Sequence, residues 1–361
     1  MKMPAAAIRE EILKNGIISF ARFMELALYC PETGYYETKK DNVGRGGDFI
    51  TSVSTGSLFG ELLAFQFAQW LAALSHGDGP LSIVEAGAHD AKLARDILTW
   101  LRVHRPCLFC GLEYVILEPS IRRQEWQRER LKEFASNVRW HSGFDASPKP
   151  CFNGVIFSNE LLDAFPVHRF GWDAAAKSWF EWCVGLEGET FSWRKIELSG
   201  AGQQRLCPPE LKQVLPDQYV VETSSAAEAW WRQAAASLAQ GRLVAIDYGY
   251  AAAEIFSPAR TRGTLRAYHR HHVSDDLLAN PGEQDITAHV NFDTIQKTGE
   301  DAGLITEQFC GQPQFLTRIL QQAVVEPVFA KLDSKQVRQF QTLTHPEHLG
   351  RAFRVLVQLR R

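Results

Sequence analysis

The sequence predicts an α/β protein with a doubly wound, mostly parallel sheet. Short runs rich in β-branched residues alternate along the chain with segments of helical apolar spacing. Strands that alternate with helices in this way form right-handed βαβ units. Acidic residues follow several of these runs directly, at the edge of a parallel sheet where ligands bind.

Each predicted element rests on a local pattern. Apolar runs predict strands at 82–85, 113–118, 137–141, 153–158, 243–247, 304–309 and 352–359. Helical spacing marks 93–101, a charged segment that runs from the second strand through Phe134, and 292–302, after which Gly303 is a stop signal. Between the fourth and fifth strands, 168–198 alternates aromatic and polar residues around the turn Gly185-Leu-Glu-Gly188, which predicts an inserted β-hairpin.

These elements divide the chain into a core and its additions. We expect an N-terminal helical and lid extension at 1–80 and a first half of the core at 81–166. An inserted β-rich subdomain at 167–222 and a second half of the core at 223–361 follow. The second half carries a further insertion at 251–290, and all three additions are expected on the substrate side.

Composition excludes several classes of protein. The 361 residues carry 39 Lys+Arg against 42 Asp+Glu, and a net charge of −3 argues against a nucleic-acid binder. The longest apolar segment, 62–74, is broken by Gln66 and Gln69, so no membrane span is expected. The N-terminus lacks a signal core and turns acidic early, and the seven cysteines have no secretory context, so a cytoplasmic location is expected. Neither the pair Cys107 and Cys110 nor the tract from His269 to His272 has matching ligands elsewhere, so no metal site is expected.

The strand ends predict a cofactor site. Gly87 follows the first strand and lets the backbone approach a ligand closely. Glu118 ends the second strand about 30 residues further on, where a carboxylate can accept hydrogen bonds from both ribose hydroxyls of a nucleoside cofactor. The glycine fingerprint of dinucleotide sites is missing after Gly87, where Ala88, His89 and Asp90 stand. S-adenosylmethionine, which has a ribose but no phosphates, therefore fits better than a dinucleotide.

A series of blocks in order along most of the chain resembles the MidA family of methyltransferase-like proteins, whose mitochondrial members act as arginine methyltransferases in the assembly of respiratory complex I. The blocks are Pro31-Glu-Thr-Gly34-Tyr35-Tyr36, Gly46-Gly47-Asp48-Phe49-Ile-Thr51-Ser52, Phe59-Gly60, Glu85-Ala-Gly87, Glu118-Pro-Ser120, Asn159-Glu160-Leu-Leu-Asp163-Ala164, Ile246-Asp247-Tyr248-Gly249, Leu265-Arg-Ala-Tyr268 and Gly282-Glu283-Gln284-Asp285-Ile-Thr287-Ala-His289-Val. The resemblance implies a class I methyltransferase fold with a seven-stranded sheet whose last strand is antiparallel. The chain departs from the pattern after Gly87, because the two further glycines of most such proteins are replaced by His89 and by Asp90-Ala91. We expect a stiffer and bulkier loop there.

Cofactor roles follow for several residues. Glu85 and Gly87 are expected to line the methionine part of the cofactor and Glu118 to hold the ribose; alternatively, Glu118 is a carboxylate at a helix start, favoured by the dipole. Asp48 and Thr51 are expected to close over the cofactor as a lid; alternatively, they cap a loop turn.

Substrate roles fall on the block after the fourth strand. Glu160 and Asp163, three apart on a predicted helical turn, face the same way and can bind an arginine guanidinium in bidentate fashion, with Asn159 beside them and the cofactor. Alternatively, these acids satisfy backbone donors at a helix N-terminus. The remaining substrate-side candidates are Tyr248, Tyr268, Asp285 and His289.

The hypothesis is therefore an S-adenosylmethionine-dependent methyltransferase that acts on a protein side chain, with arginine favoured and a respiratory complex subunit as an implied partner. A catalytically weak or inactive assembly scaffold is the first alternative, because the loop glycines are replaced. A small-molecule methyltransferase is the second.

Overall fold

The structure, a computed structural model, describes residues 3–38, 51–74, 80–144, 151–198, 206–257, 259–269 and 272–361. Its strands in chain order are β1 (Ile18–Ser19), β2 (Leu81–Ala86), β3 (Leu112–Leu117), β4 (Val138–His141), β5 (Phe152–Asn159), β6 (His168–Asp173), β7 (Ser178–Glu187), β8 (Thr190–Glu197), β9 (Val220–Thr223), β10 (Leu238–Tyr250), β11 (Arg266–His269), β12 (His272–Ser274), β13 (Asp285–Thr287), β14 (Val290–Asn291), β15 (Ile305–Gly311) and β16 (Phe353–Arg360). Its α-helices are α1 (Pro4–Asn15), α2 (Phe20–Tyr29), α3 (Tyr35–Thr38), α4 (Leu58–Ala72), α5 (Lys92–His104), α6 (Pro106–Cys110), α7 (Ile121–Arg130), α8 (Ser225–Ser237), α9 (Ala252–Ile255), α10 (Phe292–Asp301), α11 (Gln312–Ala323), α12 (Pro327–Ala330) and α13 (Ser334–Thr344).

A mixed sheet of eight strands forms the centre of the fold. Seven of them stand in the order β15-β16-β10-β5-β2-β3-β4, and β14 pairs with β10 beside this path. The strands from β10 to β4 are parallel, whereas β16 runs antiparallel to both of its neighbours. The predicted α/β class with a mixed sheet is confirmed. The predicted count of seven strands is one short, because the two-residue strand β14 is too brief to leave an apolar run.

Both faces of this sheet are buried under helices. Ile83 and Val84 are each 0% exposed and point to opposite faces, as successive residues of a strand do. The Ile83 face packs against α4, α5 and α11, and the Val84 face packs against α8 and α10. This burial explains why the strands are continuous apolar runs and could be predicted.

The insertion after β5 contains more strands than the predicted hairpin. Three antiparallel strands, β6, β7 and β8, follow one another, and β9 and β1 extend the sheet. The predicted turn at 185–188 is wrong, because β7 continues to Glu187 and the chain reverses at Gly188, whose φ is +58°. Gly185 lies within β7 opposite Ser192, where the pairing with β8 continues.

The additions share a third core over the carboxyl ends of the parallel strands. Phe20 and Phe23 of α2 pack there with Val184 of β7, Ala267 of β11 and Ile286 of β13. The N-terminal helices and both insertions therefore meet above the edge of the sheet where a ligand is expected. No helix within the described ranges is both long and apolar enough to cross a membrane.

Candidate functional site

Two cavities meet at the carboxyl ends of the parallel strands. The acidic cavity, lined among others by Glu85, Glu160, Asp163 and Asp285, encloses about 320 Å³. The aromatic cavity, lined among others by Phe144, Phe165 and Trp230, encloses about 700 Å³. Four residues line both cavities and mark their junction: Tyr29, Gly87, Arg123 and Leu161. A ligand with a polar end and an aromatic end could lie across this junction.

The loop after β2 has the backbone of a glycine-rich loop with only one glycine. Gly87, His89 and Ala91 have φ values of +73°, +47° and +61°, so every second residue is left-handed. A Cβ on Gly87 would lie 2.9 Å from Leu161 Cδ1, so a side chain there would collide with the cavity wall. His89 and Ala91 adopt the same conformation at a cost of roughly 1–2 kcal/mol each. The loop is bulkier, as expected, but its backbone still has a left-handed conformation at every second residue, as a loop with glycines at these positions could have.

Glu85, the residue before the end of β2, lines the acidic cavity. It is 2% exposed, and the Tyr114 hydroxyl donates a hydrogen bond of 2.6 Å to its Oε2. Burial raises the pKa of Glu85 to about 8. The carboxyl is therefore mostly protonated at neutral pH.

Glu118 follows β3 and lines the aromatic cavity rather than the acidic one. Its Oε1 accepts a hydrogen bond from Ser120 N at 2.9 Å and its Oε2 one from Gln127 Nε2 at 3.2 Å. Arg123 Nη1 lies 3.6 Å from Oε2. Burial raises the pKa of Glu118, and the Arg123 charge and these donors oppose the rise. Each carboxylate oxygen retains a lone pair for a further donor.

The rings of Phe144, Phe165 and Trp230 line the aromatic cavity, and the sequence analysis missed all three as site residues. The Trp230 ring lies 5.8 Å from that of Phe144 and 6.3 Å from that of Phe165, between centroids. Phe144 stands shortly after β4, at the same sheet edge as Glu118. That position was the available signal, since every parallel strand end borders the crevice. Trp230 comes from α8, which no sequence pattern connects to this edge.

Asp247 at the end of β10 shapes the turn after β5. It is 0% exposed, and its Oδ2 accepts hydrogen bonds from Leu161 N at 3.0 Å and Leu162 N at 2.7 Å. Glu160 has a φ of +53° and precedes a short 3-10 helix at Leu162–Ala164. The predicted helical turn carrying both Glu160 and Asp163 is therefore wrong, because Glu160 is left-handed and the helical turn begins only at Leu162.

Asn159, Glu160 and Asp163 nevertheless line one cavity. Glu160 Oε1 accepts hydrogen bonds from Ser52 N at 3.1 Å and from Asn159 Nδ2 at 3.2 Å. Within the described part of the chain, Glu160 Oε2 and Asn159 Oδ1 are buried and have no hydrogen-bond partner. Burial and then the Asp247 charge raise the pKa of Glu160 to about 8, and the same two causes raise the pKa of Asp163 well above its usual range. Asn159 Oδ1, and Glu160 Oε2 when Glu160 is ionised, are thus acceptors for a ligand that carries N–H groups.

An aromatic wall faces these acids. The Tyr36 hydroxyl donates a 2.7 Å hydrogen bond to Asp285 Oδ1, and the Tyr36 ring stacks on that of Tyr29 at 5.5 Å. The Arg123 guanidinium lies 5.3 Å from the centre of the Tyr36 ring. Tyr29, Tyr36 and Arg123 were missed as site residues, although Tyr36 stands in one of the blocks that carry the family resemblance.

Four predicted substrate-side residues also reach the acidic cavity: Tyr248, Tyr268, Asp285 and His289. Asp285 pairs with Tyr268 across β11 and β13. His289 N donates to Thr264 Oγ1 at 3.1 Å.

The predicted lid is described only in part. Thr51 lines the acidic cavity and is 5% exposed, while Asp48 lies outside the described residues, as do Arg270 and His271 of the histidine tract. Thr51 Oγ1 accepts a hydrogen bond from Ser54 N at 3.1 Å, so it caps a turn as the alternative interpretation expected. Ser52 Oγ donates to Gln312 Oε1 at 3.1 Å. The segment is therefore held by a helix near the other end of the chain.

Curated relatives match nearly the whole chain. "Protein arginine methyltransferase NDUFAF7 homolog, mitochondrial" of Drosophila melanogaster is 26% identical over 98% of this chain and 84% of its own length. "Protein arginine methyltransferase NDUFAF7, mitochondrial" of Danio rerio is 26% identical over 96% of this chain and 84% of its own length. The expected cytoplasmic location is contradicted by these mitochondrial relatives and is wrong. The expectation rested on the cysteine pattern, which does not distinguish one reducing compartment from another.

A solved structure and a family model agree with these relatives. A Burkholderia thailandensis protein, crystallised with S-adenosyl-homocysteine, superposes with a TM-score of 0.83 at 32% identity over 99% of this chain and 92% of its own. Residues 62–310 match the family described as "Putative S-adenosyl-L-methionine-dependent methyltransferase". The residues present fit such a cofactor, since a buried carboxylate, a close-approach glycine and an aromatic cavity surround one junction. The chain belongs to this family of S-adenosyl-L-methionine-dependent methyltransferases.

Proposed function

We propose that the protein methylates arginine side chains of a protein substrate, with S-adenosylmethionine bound across the two cavities. The observation that carries the proposal is the pair of buried carboxyl groups, Glu160 and Asp163, in the cavity that adjoins Gly87. The relatives named protein arginine methyltransferases support it at 26% identity.

The aromatic cavity would hold the adenosine. The rings of Phe144, Phe165 and Trp230 would pack against the base, and Glu118 would accept hydrogen bonds from the ribose hydroxyls. Gly87 would let the methionine part pass into the acidic cavity beside Glu85. The cofactor supplies an electrophilic methyl group on its sulfonium sulfur.

The acidic cavity would hold the guanidinium. Arginine is protonated at any working pH, and its planar N–H groups suit carboxylate and amide acceptors. Glu160 Oε2 and Asn159 Oδ1 are the acceptors without partners among the described residues. The rings of Tyr29, Tyr36 and Tyr248 add aromatic walls that favour a cation.

Positioning would supply most of the rate. Orienting two reactants for in-line transfer contributes up to about 7–11 kcal/mol in favourable systems. Ser52 N and Asn159 hold Glu160 Oε1, which leaves Oε2 to orient one guanidinium nitrogen. A bound guanidinium would favour the ionised form of Glu160, and this carboxylate would then accept the proton that the methylated nitrogen releases, since burial and the Asp247 charge raise its pKa to about 8.

The first alternative, an inactive scaffold, rested on the replaced glycines. His89 and Ala91 keep the left-handed conformations that those glycines would provide. The observation that favoured the scaffold is therefore removed, and methyl transfer is the function that the site supports best.

The test is methyl transfer to peptides of defined sequence. Arginine peptides, and matched peptides with lysine or citrulline, are incubated with isotopically labelled S-adenosylmethionine, and products are identified by mass spectrometry. We expect methylarginine alone, with Glu160→Gln lowering kcat/KM about 100-fold or more while S-adenosyl-homocysteine still binds. Glu125→Gln on the exposed face of α7 is the control for charge. Methylation of lysine instead, or full activity of Glu160→Gln, would overturn the proposal.

A further inference from the structure

One arginine lines the acidic cavity at an exposed position, and a second packs on Tyr250, whose ring contacts the cavity residue His289. Arg266 lines the cavity, is exposed, and donates only to the carbonyl oxygen of its neighbour Leu265, at 2.7 Å. Arg260 lies 4.4 Å over the Tyr250 ring, and its Nε donates to Glu254 O. In the ranges that the structure describes, neither guanidinium has a carboxylate within ion-pair distance. Both charges are therefore available to a partner.

The pairing of β11 with β13 places the Asp285 carboxyl group and the Arg266 guanidinium at different depths in the acidic cavity. Tyr268 pairs with Asp285, which is 1% exposed, and two residues along the strand Arg266 pairs with Thr287. Alternate residues of a strand share a face, so these pairs look into the same cavity. Two residues span about 7 Å, which is comparable to an extended arginine side chain. The carboxyl group thus lies deep and the guanidinium lies at the rim.

The positive charge of this wall affects the pKa of His289. Its ring meets the Tyr250 ring edge-on at 4.9 Å, and it lines the cavity beside Arg266. Burial, and then the charges of Arg260 and Arg266, lower the pKa of His289 to about 4. The imidazole is neutral at working pH, so the positive charge at the rim comes from the two arginines.

A basic rim around an acidic interior is complementary to a cationic side chain flanked by anionic ones. We infer that Arg266, with Arg260 beside it, docks an acidic residue that lies next to the methylated residue in the protein substrate. The identity of the central residue rests on the proposed function, whereas the identity of the flanking charge rests on the rim alone. Like charge at the rim would also disfavour the basic segments that an acidic interior attracts by itself.

The test is a binding experiment with six fluorescently labelled heptapeptides and protein saturated with S-adenosyl-homocysteine. The central residue is arginine or citrulline, and the two flanking residues are both glutamate, both alanine or both lysine. Dissociation constants are measured by anisotropy at roughly 50 mM salt, where exposed charges are little screened. We expect glutamate-flanked peptides to bind about 2- to 5-fold more tightly than alanine-flanked ones, and lysine-flanked ones more weakly still.

Reversing the charge of Arg266 tests whether this residue binds the flanking residues of the peptide. Arg266→Glu is expected to invert the order, so that lysine-flanked peptides bind best. Lys132→Glu, on a side chain that is 76% exposed and far from the cavity along the chain, changes the net charge equally and should leave the order unchanged.

The guanidinium acceptor and the preference for acidic flanking residues are tested separately. Equal affinity for arginine and citrulline peptides counts against the proposed guanidinium acceptor, and the flank preference then still tests the rim. Equal affinity for all three flanks, an order that Arg266→Glu leaves unchanged, or no saturable binding of any peptide overturns the inference.

Discussion

Replacing Glu85 by glutamine changes how stability depends on pH, in a direction that the structure determines. Glu85 is 2% exposed, and burial raises its pKa from the usual 4.5 to about 8. Between these two values the folded chain keeps a proton that the unfolded chain releases. The free energy of unfolding therefore falls as the pH rises through this window, and the loss is complete above the folded pKa.

The size of the effect follows from the shift. Between the two pKa values, and away from both, each rise of one pH unit lowers the free energy of unfolding by about 1.4 kcal/mol. Between about pH 6 and pH 8 the free energy of unfolding falls by about 2 kcal/mol in total, because its dependence on pH becomes weaker as the pH approaches the pKa of the folded state. Glutamine has no proton to release, and its amide oxygen can still accept the Tyr114 hydroxyl that now binds Glu85. We expect the decline in Glu85→Gln to be smaller than in the wild type by that amount.

The assay is urea denaturation at several pH values from about 6 to 8, followed by tryptophan fluorescence. Other buried carboxyl groups contribute equally to both proteins, so the difference between the two profiles isolates Glu85. Glu113→Gln on β3, a side chain that is 38% exposed, is the matched control and should follow the wild type. Profiles of Glu85→Gln and wild type that run parallel to within about 0.5 kcal/mol would refute the reasoning.

Three further outcomes follow from the same contacts. Ala91→Gly should raise the free energy of unfolding by about 1 kcal/mol, because Ala91 is left-handed, whereas Ala94→Gly in the right-handed helix α5 should lower it; thermal unfolding that shifts both variants the same way contradicts this. Gln312→Met leaves a buried hydroxyl and a helix-end carbonyl unpaired and should cost about 1–3 kcal/mol in urea denaturation. The exposed neighbour Gln314→Met should cost little, and equal losses would exclude a special role for Gln312. Trp230→Ala should weaken S-adenosyl-homocysteine binding about 10-fold in calorimetry, as the loss of one stacked ring predicts; unchanged affinity would place the base elsewhere.

The strands of the central sheet could be predicted because both of their faces are buried. A strand that is buried on both faces is apolar at most positions, so a run such as Ile83 and Val84 predicts it without reference to the rest of the fold. The acidic strand ends could be predicted for a related reason, since a charge next to such a run requires a functional or structural cause. The short strand β14 lacks both signals.

The local shape of the site could not be predicted, because distant residues impose it. Glu160 is left-handed, and the N–H groups of the two residues that follow it bind Asp247 from another strand. Tyr36 reaches Asp285 across 249 residues of sequence. Ala91 disfavours the conformation that it adopts, so local propensity pointed away from the observed loop. In each case a tertiary contact overrides the local preference.

Asp247 also influences the ionisation of the other acids in the cavity. Its oxygens accept the N–H groups of Leu161, Leu162 and Tyr248, so Asp247 is the member of the cluster best suited to carry the negative charge. Burial raises the pKa of Asp247 to about 7, and these backbone donors oppose the rise. Burial, and then the Asp247 charge, raise the pKa values of Glu160 and Asp163. A guanidinium would reverse the balance, because a positive charge beside both carboxyl groups favours their ionised forms. A neutral methyl acceptor carries no positive charge and would not favour the ionised forms of these carboxyl groups. The proposed preference for a cationic methyl acceptor thus depends on Asp247 as well as on Glu160 and Asp163.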